Sequence, residues 1–511
     1  MTRPRNDANA PEVEVAIVGT GFSGLCMAIQ LKKAGKHDFV LLEKASGVGG
    51  TWRENHYPGC ACDVQSHLYS YSFEPNPRWS RMFAPQEEIL GYLEHCTDAY
   101  GVRPHIRFDT EVAEARFDEE GGYWRVRARD GWTLTARHLV LGVGALSLPA
   151  YPQIEGIERF RGRRFHSAEW DHDHDLTGER AGVIGTGASA IQFVPRIAEQ
   201  VDALRLFQRT PPWVLPKPDR AVTPLEQRLF ERAPFLQRLY RWGIYWRSEA
   251  RGFGFTIGPW VMKGAAWLGR RHIERQIRDP ELRAAVTPAY TPGCKRILMA
   301  DDYYPALERP NVHVVTSGIE RVTERGVVTA DGVEHPLDTL IFATGFRVSD
   351  YLAPIRVVGR GGVEINEAWR AGAEAYLGTT VSGFPNLYTL MGPNTGLGHN
   401  SMVFMIESQV RYVMSLVRML ERRGARVADV KPGAQSAFNA RLQPRLERSV
   451  WATGCQSWYL DENGKNSTNW PGFTFEFWLR TLRARASDYV LDPVPTRRAP
   501  EIAVPHSRAA A

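Results

Sequence analysis

The stretch VEVAIVGTGFSGLCMAIQLKKAGKHDFVLLE, residues 13–43, decides the fold of this chain. It begins with an apolar run that is typical of a buried strand and passes through a glycine-rich turn into a helical pattern. It ends with a second apolar run that closes on Glu43. A strand, a helix and a second strand in this order predict a βαβ unit, in which the two strands are parallel neighbours of one sheet.

The turn of this unit has the spacing G-x-G-x-x-G, formed by Gly19, Gly21 and Gly24. The first glycine allows the tight turn, the second lets a pyrophosphate approach the backbone, and the third lets the helix pack on the strand. Glu43 stands where a carboxylate accepts hydrogen bonds from ribose hydroxyls and repels a 2′-phosphate. The pattern predicts a dinucleotide site, against the alternative of an empty βαβ turn. The loop GVGGTW, residues 47–52, which follows directly, favours FAD.

A second copy of the pattern occurs in AGVIGTGASAIQFVPRIAEQ, residues 181–200. Gly185, Gly187 and Ala190 form G-x-G-x-x-A, and the next apolar run leads into Arg209 and Thr210 instead of an acid. A guanidinium and a hydroxyl favour a ribose 2′-phosphate, so the second site is predicted to bind NADPH. The alternative is an ordinary surface arginine at a strand end. FAD at one site and NADPH at the other predict a flavin enzyme that a nicotinamide reduces.

The rest of the chain fits an α/β fold with two dinucleotide-binding, Rossmann-like domains and a helical insertion. The segment between the second βαβ unit and the later strands VHVVTSG, GVVTADG and TLIFATGF has helical spacing with many arginine and aromatic residues. The predicted domains are an FAD domain over residues 1–147 and 378–511, an NADPH domain over residues 148–222 and 291–377, and the helical insertion over residues 223–290.

Composition excludes several classes of protein. The 511 residues carry a formal net charge of +6 with both signs scattered along the chain, so no nucleic-acid partner is predicted. No apolar run approaches the ~18 residues that a membrane span needs. Six sparse cysteines and a polar start predict a reduced, cytoplasmic protein. The sequence leaves its oligomeric state open between a monomer and a homodimer. Cys60 and Cys62 have one residue between them and no matching His/Cys cluster, so packed thiols are expected rather than a metal site.

The segment FRGRRFHSAEWD, residues 160–171, looks like neither a core strand nor an ordinary surface loop. It has the pattern F-x-G-x-x-x-H-x-x-x-W-D and lies between the two glycine motifs. That arrangement resembles the class B flavoprotein monooxygenases, and its tryptophan resembles the type I Baeyer–Villiger monooxygenases. Further matching stretches occur in order along nearly the whole chain: GGTW, YPG, QRTPPW, GCKR, YYPALERPNVHVV, ATGF and GPN.

The resemblance implies a reaction and its substrates. NADPH reduces FAD, oxygen adds to the flavin as a C4a-peroxide, and the peroxide attacks a ketone that rearranges to an ester or lactone. Sulfoxidation is implied as a side activity. The alternatives are a flavin monooxygenase that acts mainly on sulfur or nitrogen and a non-catalytic flavoprotein. The latter would need a lost NADPH site or a lost active-site arginine, and both are present.

The resemblance also implies the site residues. Arg296 is expected to be the active-site arginine, because a peroxyanion and a developing oxyanion need a fixed positive charge. Asp63 is expected to be its carboxylate partner, and Lys295 a further contact to the 2′-phosphate. The remaining implied cofactor contacts are Thr51, Trp52, Tyr69 and Met402 on the flavin side, Thr186, Gly187, Ala188, Ser189, Ala190 and Gln192 along the NADP pyrophosphate, and Trp458 in a mobile loop over NADP.

The family motif itself is expected to be structural. His166 is predicted to hold the domain junction by hydrogen bonds to the backbone, Trp170 to pack there and Asp171 to cap or tether the segment. The full motif set is Phe160, Gly162, His166, Trp170 and Asp171. It is therefore predicted to identify the chemistry without performing it.

Overall fold

The first sheet is built on the strand Val13–Val18, whose last four residues are buried. In the computed structural model, which describes residues 10–348, 352, 354–455, 457–461 and 463–493, this strand lies parallel to both Phe39–Leu42 and Thr133–Leu141. The helix Phe22–Lys33 connects the first two strands, so the predicted βαβ unit is confirmed. The sheet in spatial order is Arg356–Val358, Val112–Asp118, Tyr123–Ala128, Thr133–Leu141, Val13–Val18, Phe39–Leu42 and Ile106–Arg107, with Leu387–Thr389 also paired to Thr133–Leu141.

The second sheet has five strands, all parallel. Its central strands are buried on both faces, as a parallel sheet covered by helices requires. In spatial order they are Val312–Val315, Ala203–Phe207, Arg180–Ile184, Thr339–Phe342 and Arg163–His166. The two sheets confirm the predicted fold class of two Rossmann-like nucleotide-binding units.

The stretch FRGRRFHSAEWD contains a sheet strand, which its sequence did not predict. Arg163–His166 forms one edge of the second sheet and pairs with Thr339–Phe342. His166 is fully buried, and its Nδ1 accepts a hydrogen bond from the backbone N–H of Ala168 at 3.1 Å. Because an edge strand has one uncovered side, its first two residues, both arginines, are exposed while the phenylalanine and histidine that follow are buried.

The other motif residues pack around this edge. Trp170 is buried between the rings of Phe165 and Phe193, with ring centroids 5.2 and 5.1 Å away. Asp171 accepts a 2.7 Å hydrogen bond from Nε of Arg163, which tethers the segment as predicted. At Gly162 a Cβ would lie 2.1 Å from the carbonyl oxygen of Asp338, so no larger residue fits.

Helices fill the segment between the strands Val214–Leu215 and Leu298–Met299. Thr223 begins this segment with a capping box, in which its hydroxyl and the Glu226 carboxylate bond each other's backbone N–H. The helices of the segment are Pro224–Arg232, Pro234–Thr256, Met262–Gln276 and Pro280–Val286. The remaining α-helices are Thr51–Glu54, Gln86–Ala99, Ala190–Ile197, Tyr303–Leu307, Ile365–Ala368, Met402–Arg423, Pro432–Glu447 and Thr474–Arg480.

The C-terminal part of the chain returns to the first sheet. Leu387–Thr389 pairs with Thr133–Leu141, and the long helix Met402–Arg423 packs against Phe22–Lys33. The short sheets are the antiparallel Ile319–Val322, Gly326–Thr329 and Glu334–Pro336, the parallel pair Val214–Leu215 and Leu298–Met299, and the antiparallel pair Ala425–Val430 and Tyr489–Pro493. Among the residues that the structure describes, no helix is long and apolar enough to cross a membrane. The domain boundaries stay a prediction.

Candidate active site

The first glycine turn is shaped by backbone contacts that exclude any side chain. Gly19 has φ +94°, and a Cβ there would lie 2.7 Å from the carbonyl oxygen of Gly142. A Cβ on Gly24 would lie 1.9 Å from the carbonyl oxygen of Gly19. No side chain caps the N-terminus of the helix Phe22–Lys33. Its first N–H groups are therefore available to a phosphate.

Glu43 lies at the end of the neighbouring strand, where the sequence predicted a ribose contact. It is buried, and one of its carboxylate oxygens accepts from the backbone N–H of Thr20 at 2.8 Å and from its hydroxyl at 2.6 Å. The other oxygen accepts from the backbone N–H of Ala45 at 2.9 Å. An ionised carboxylate has about four acceptor positions, so one stays open to a ribose hydroxyl.

The predicted flavin-side residues surround the start of the first helix. Nε1 of Trp52 donates to the hydroxyl of Tyr69 at 3.2 Å, and the Tyr69 ring packs edge-on against Phe22 at 5.2 Å. Thr51 begins the short helix that carries Trp52. Met402 begins the long helix that packs on Phe22–Lys33, and it is partly buried against the same core. The fold thus brings all four residues to the apolar surroundings of one helix.

The second glycine turn repeats this design. Gly185 has φ +108°, and a Cβ there would lie 2.4 Å from the carbonyl oxygen of Ala343. At Gly187 a Cβ would meet nothing within 4 Å, so the backbone is open to a ligand. Ala190 is fully buried at the start of the helix Ala190–Ile197, and Ser189 places no side-chain cap on it. The hydroxyl of Thr186 donates to the carbonyl of Thr210 at 3.2 Å, which joins the turn to the next strand end.

Gln192, whose contact with the NADP pyrophosphate stays a prediction, also makes two bonds that the sequence did not predict. Its amide oxygen accepts from the hydroxyl of Tyr57 at 3.0 Å, and its amide nitrogen donates to the carbonyl of Ala61 at 3.0 Å. These bonds join the helix of the second glycine turn to the loop that follows the first. The side chain therefore holds the two nucleotide units together, and the second hydrogen of its amide nitrogen has no partner among the described residues.

Arg209 and Lys295 lie close together beside the second turn. Burial lowers the pKa of Lys295, and the positive charge of Arg209 lowers it further. The ammonium of Lys295 also lies 5.3 Å from the centre of the Tyr290 ring. Among the described residues, no carboxylate lies within ion-pair distance of either cation. Two unpaired positive charges at one point favour a dianionic ligand such as a 2′-phosphate.

Arg296 and Asp63 form an ion pair although they are 233 positions apart. Nε and Nη2 of Arg296 both donate to Oδ2 of Asp63, at 3.0 and 2.5 Å. The carboxylate raises the pKa of Arg296 above its already high value. No acceptor among the described residues engages Nη1. The side chain is 38% exposed, so the pair presents one free, permanently charged donor.

The structure adds a residue to this pair that the sequence did not indicate. Tyr459 is buried next to Arg296, and burial raises its pKa to about 12 although the guanidinium charge opposes the rise. Its ring lies 4.2 Å from the ring of Trp458, which is itself 45% exposed. Sequence signals pointed only to Trp458, because a tyrosine beside it has no distinctive spacing.

The prediction of six reduced cysteines is wrong for one pair. Cys294 and Cys455 form a disulfide across 161 positions. It ties the loop that precedes Lys295 and Arg296 to the segment that carries Trp458 and Tyr459. Sparse cysteines give no sign of such pairing, because partners that far apart meet only in the folded chain. The other four cysteines are free and buried, and burial raises the pKa of Cys60 to about 12, so the Cys60 thiol stays protonated.

Two family models match parts of the chain. Residues 17–85 match the NAD(P)-binding Rossmann-like domain, which contains the first glycine turn. Residues 65–228 match the model of L-lysine 6-monooxygenase/L-ornithine 5-monooxygenase, which contains the second.

Similar proteins cover nearly the full length. A Baeyer–Villiger monooxygenase of Pseudomonas aeruginosa is 52% identical over 97% of this chain and 94% of its own. A solved structure of cyclohexanone monooxygenase from Rhodococcus sp. Phi1 bound to NADP+ is 30% identical, covers 95% of this chain and 100% of its own, and has a TM-score of 0.85. A structure of OTEMO in complex with FAD and NADP is 28% identical, with 94% and 100% coverage and a TM-score of 0.84.

Proposed function

This chain belongs to the Baeyer–Villiger monooxygenases, and from that premise we propose which of its residues carry the reaction. It is an FAD- and NADPH-dependent flavin monooxygenase that inserts one oxygen atom beside a ketone carbonyl and yields an ester or lactone. The uncapped helix N-termini and side-chain-free glycine turns fit the pyrophosphates of both cofactors. When bound, NADPH supplies a hydride and the flavin supplies the activated oxygen atom.

The free Nη1 of Arg296 is the observation that carries the assignment of residues. Negative charge grows on the carbonyl oxygen as a ketone is attacked, and a fixed guanidinium stabilises it without reorganising. Asp63 acts as the positioning residue, because one of its carboxylate oxygens, Oδ2, accepts hydrogen bonds from both Nε and Nη2 of Arg296. These two bonds leave Nη1 free for the substrate. Tyr459, next to the same guanidinium, shields the pair from water.

Recognition of NADPH rests on the second glycine turn. Arg209, Thr210 and Lys295 contact the 2′-phosphate, and Trp458 closes over the cofactor. Arg209 and Lys295 have no carboxylate partner in the part of the chain that the structure describes, which supports this contact, since two neighbouring cations need an anion to offset their mutual repulsion.

The substrate class, the cellular location and the oligomeric state are the less specific part of the proposal. Ketones are the main substrates and sulfides a side activity. The match of residues 65–228 to an N-oxygenating family makes amine oxygenation the second candidate. A cytoplasmic location and a monomeric or homodimeric state stay predictions.

The deciding experiment measures product and cofactor together. Purified enzyme is given NADPH, oxygen and a panel of cyclic, linear and aromatic ketones, sulfides and amines, and the products are analysed by mass. We expect esters or lactones from ketones. Arg296→Ala should lose ester formation by about 100-fold or more, since one preorganised donor to an oxyanion contributes that much. Asp63→Asn should lose less while NADPH is still consumed.

Arg180→Ala is the matched control, because Arg180 forms a similar arginine–carboxylate pair with Asp338 far from the site, at 2.6 Å. Unchanged ester formation in Arg296→Ala would refute the role of Arg296. Oxygen transfer to amines alone would refute the ketone assignment.

A further inference from the structure

The helix Pro234–Thr256 exposes an apolar stripe on the side away from the core. The stripe residues are three, four or seven positions apart, which places them on one side of a helix with 3.6 residues per turn. Each exposes between 39% and 62% of its surface: Phe235, Leu239, Trp242, Trp246 and Phe253.

The inward side of the same helix already carries buried apolar residues (Ile244, Tyr245 and Phe255) and buried polar ones, so the helix is not simply turned the wrong way. Gln237, Ser248 and Glu249 are buried there. Gln237 donates to the carbonyl of Asn76 at 2.7 Å, and Glu249 accepts from the hydroxyl of Thr474 at 2.6 Å. Rotating the helix to bury the stripe would break these bonds, so the apolar side is fixed outward.

Neighbouring elements extend the stripe. The ring of Trp246 lies 6.1 Å from that of Phe475, on the helix Thr474–Arg480, and Trp478 and Leu479 are exposed on that helix. We call the whole set the aromatic face: Phe235, Leu239, Trp242, Trp246, Phe253, Ile257, Trp260, Trp267, Phe475, Trp478 and Leu479. Within this set the rings of Trp242, Trp246 and Phe475 are direct neighbours, with centroids 6.4 and 6.1 Å apart, and an exposed cluster of large apolar side chains marks a binding surface.

Basic side chains outnumber acidic ones along the aromatic face. Residues 234–273 contain seven basic side chains and one acidic one, the buried Glu249. Six of the basic side chains are exposed, and none has a carboxylate within ion-pair distance among the described residues: Arg238, Arg247, Arg251, Lys263, Arg270 and Arg271. Exposed arginines elsewhere are commonly paired, such as Arg220 with Glu226 at 2.6 Å. The excess positive charge of the chain is thus concentrated where its aromatic rings are exposed.

We propose that the aromatic face docks onto the surface of an anionic lipid bilayer. Tryptophan rings are stable at the level of the lipid headgroups, and arginine reaches the phosphates while its stem stays in the apolar layer. Unpaired cations gain energy from an anionic headgroup layer. The helix Pro234–Thr256 lies in the plane of the membrane surface, as an amphipathic helix with basic residues beside its apolar side does. A second copy of this chain is a poorer occupant, because a two-fold contact would set six unpaired cations against the same six.

The test uses the FAD-loaded enzyme and two kinds of vesicle. We expect it to sediment with vesicles that contain phosphatidylglycerol and not with vesicles of phosphatidylcholine alone, and we expect added salt to weaken binding. Trp242→Asp/Trp246→Asp should reduce the bound fraction about tenfold, since two interfacial rings are lost. Val333→Asp/Val363→Asp is the control, because it adds the same charge at exposed apolar positions outside the aromatic face.

A second measurement does not depend on a variant. Brominated lipid in the anionic vesicles should quench part of the tryptophan fluorescence of the parent enzyme. Failure of the parent to bind anionic vesicles, or equal binding to both kinds, would overturn the proposal. The proposal would also be overturned if the parent enzyme were a dimer without lipid and Trp242→Asp/Trp246→Asp were a monomer. Ketone turnover in solution is measured separately, so the membrane proposal can fail while the proposed function stands.

Discussion

Glu43 and Arg209 follow corresponding strands of the two nucleotide units and carry opposite charges. Glu43 is buried and bonded to Thr20 and Ala45, which fixes a negative charge beside the first turn. Arg209 has Lys295 beside it and no carboxylate within ion-pair distance in the described chain. We therefore propose that a single side chain after each strand selects the ribose that the turn accepts.

The preference for NADPH should depend on these two cations. Arg209→Ala and Lys295→Ala are each expected to lower the ratio of kcat/KM for NADPH to that for NADH about tenfold, because each removes a charge-assisted contact to the 2′-phosphate. Steady-state kinetics with both nicotinamides measures the ratio. Arg309→Ala, which removes a surface arginine paired with Glu199, serves as the control. Equal use of both nicotinamides by the parent would contradict the assignment.

At the scale of elements, contacts between segments that are far apart in the sequence hold the parts of the candidate site in place. The disulfide between Cys294 and Cys455 connects the loop of Arg296 with the segment of Trp458. The strand Leu387–Thr389 extends the first sheet through a buried contact, in which the Tyr388 hydroxyl and Nδ1 of His138 are 3.2 Å apart. Each contact gives a prediction of its own.

Opening the disulfide should loosen the segment that carries Trp458, which we propose closes over NADP. A cross-link that closes a long loop stabilises the fold by about 2–4 kcal/mol. Cys294→Ser/Cys455→Ser is therefore expected to lower the midpoint of thermal unfolding and to raise KM for NADPH. Dithiothreitol should produce the same two changes in the parent and neither in the double variant. A parent that gives no response to the reductant would argue against the cross-link.

Acid should destabilise the first sheet through His138. Burial lowers the pKa of this histidine to about 3, so the folded state keeps it neutral where the unfolded chain protonates it. The unfolded state then binds more protons between pH 3 and about 6.5, and stability falls as the pH drops through that window. His138→Gln, which stays uncharged, should flatten the dependence of the unfolding midpoint on pH below about 6.5. An unchanged slope would show that other groups dominate.

At the scale of the whole molecule, the geometry of the candidate site depends on how the two nucleotide-binding units pack against each other. Asp63 comes from the loops beside the first sheet and Arg296 from the segment before Leu298, so the ion pair that we propose for the active site joins segments from both halves of the chain. Gln192, Tyr57 and Ala61 hold the same interface by hydrogen bonds. Small displacements between the units therefore change the direction of the free guanidinium nitrogen.

Gly59 tests this coupling. It has φ +80°, and a Cβ there would lie 2.8 Å from the carbonyl oxygen of Gln192. Gly59→Ala should lower kcat for ketone oxygenation, because the loop must move away from the helix Ala190–Ile197. Gly178→Ala is the matched control, since Gly178 has φ +76° and nothing within 4 Å of the added Cβ. Both variants introduce the backbone strain of about 1–2 kcal/mol that alanine has at a positive φ. A loss of kcat in Gly59→Ala alone is therefore due to the contact with Gln192.

The sequence by itself determined the two glycine turns and the strands and helices around them, because each depends on residues within one βαβ unit. It determined the family and the cofactors through motifs that occur in order along nearly the whole chain. It also suggested Arg296 and Asp63, through their resemblance to family motifs. Only the tertiary structure decided that these two meet with one guanidinium nitrogen left free, that Cys294 pairs with Cys455, and that Gln192 joins the units. It alone revealed that scattered arginines form one margin around exposed aromatic rings. Partners more than a hundred positions apart, and the choice of which side of a helix faces the core, follow from packing of the whole chain.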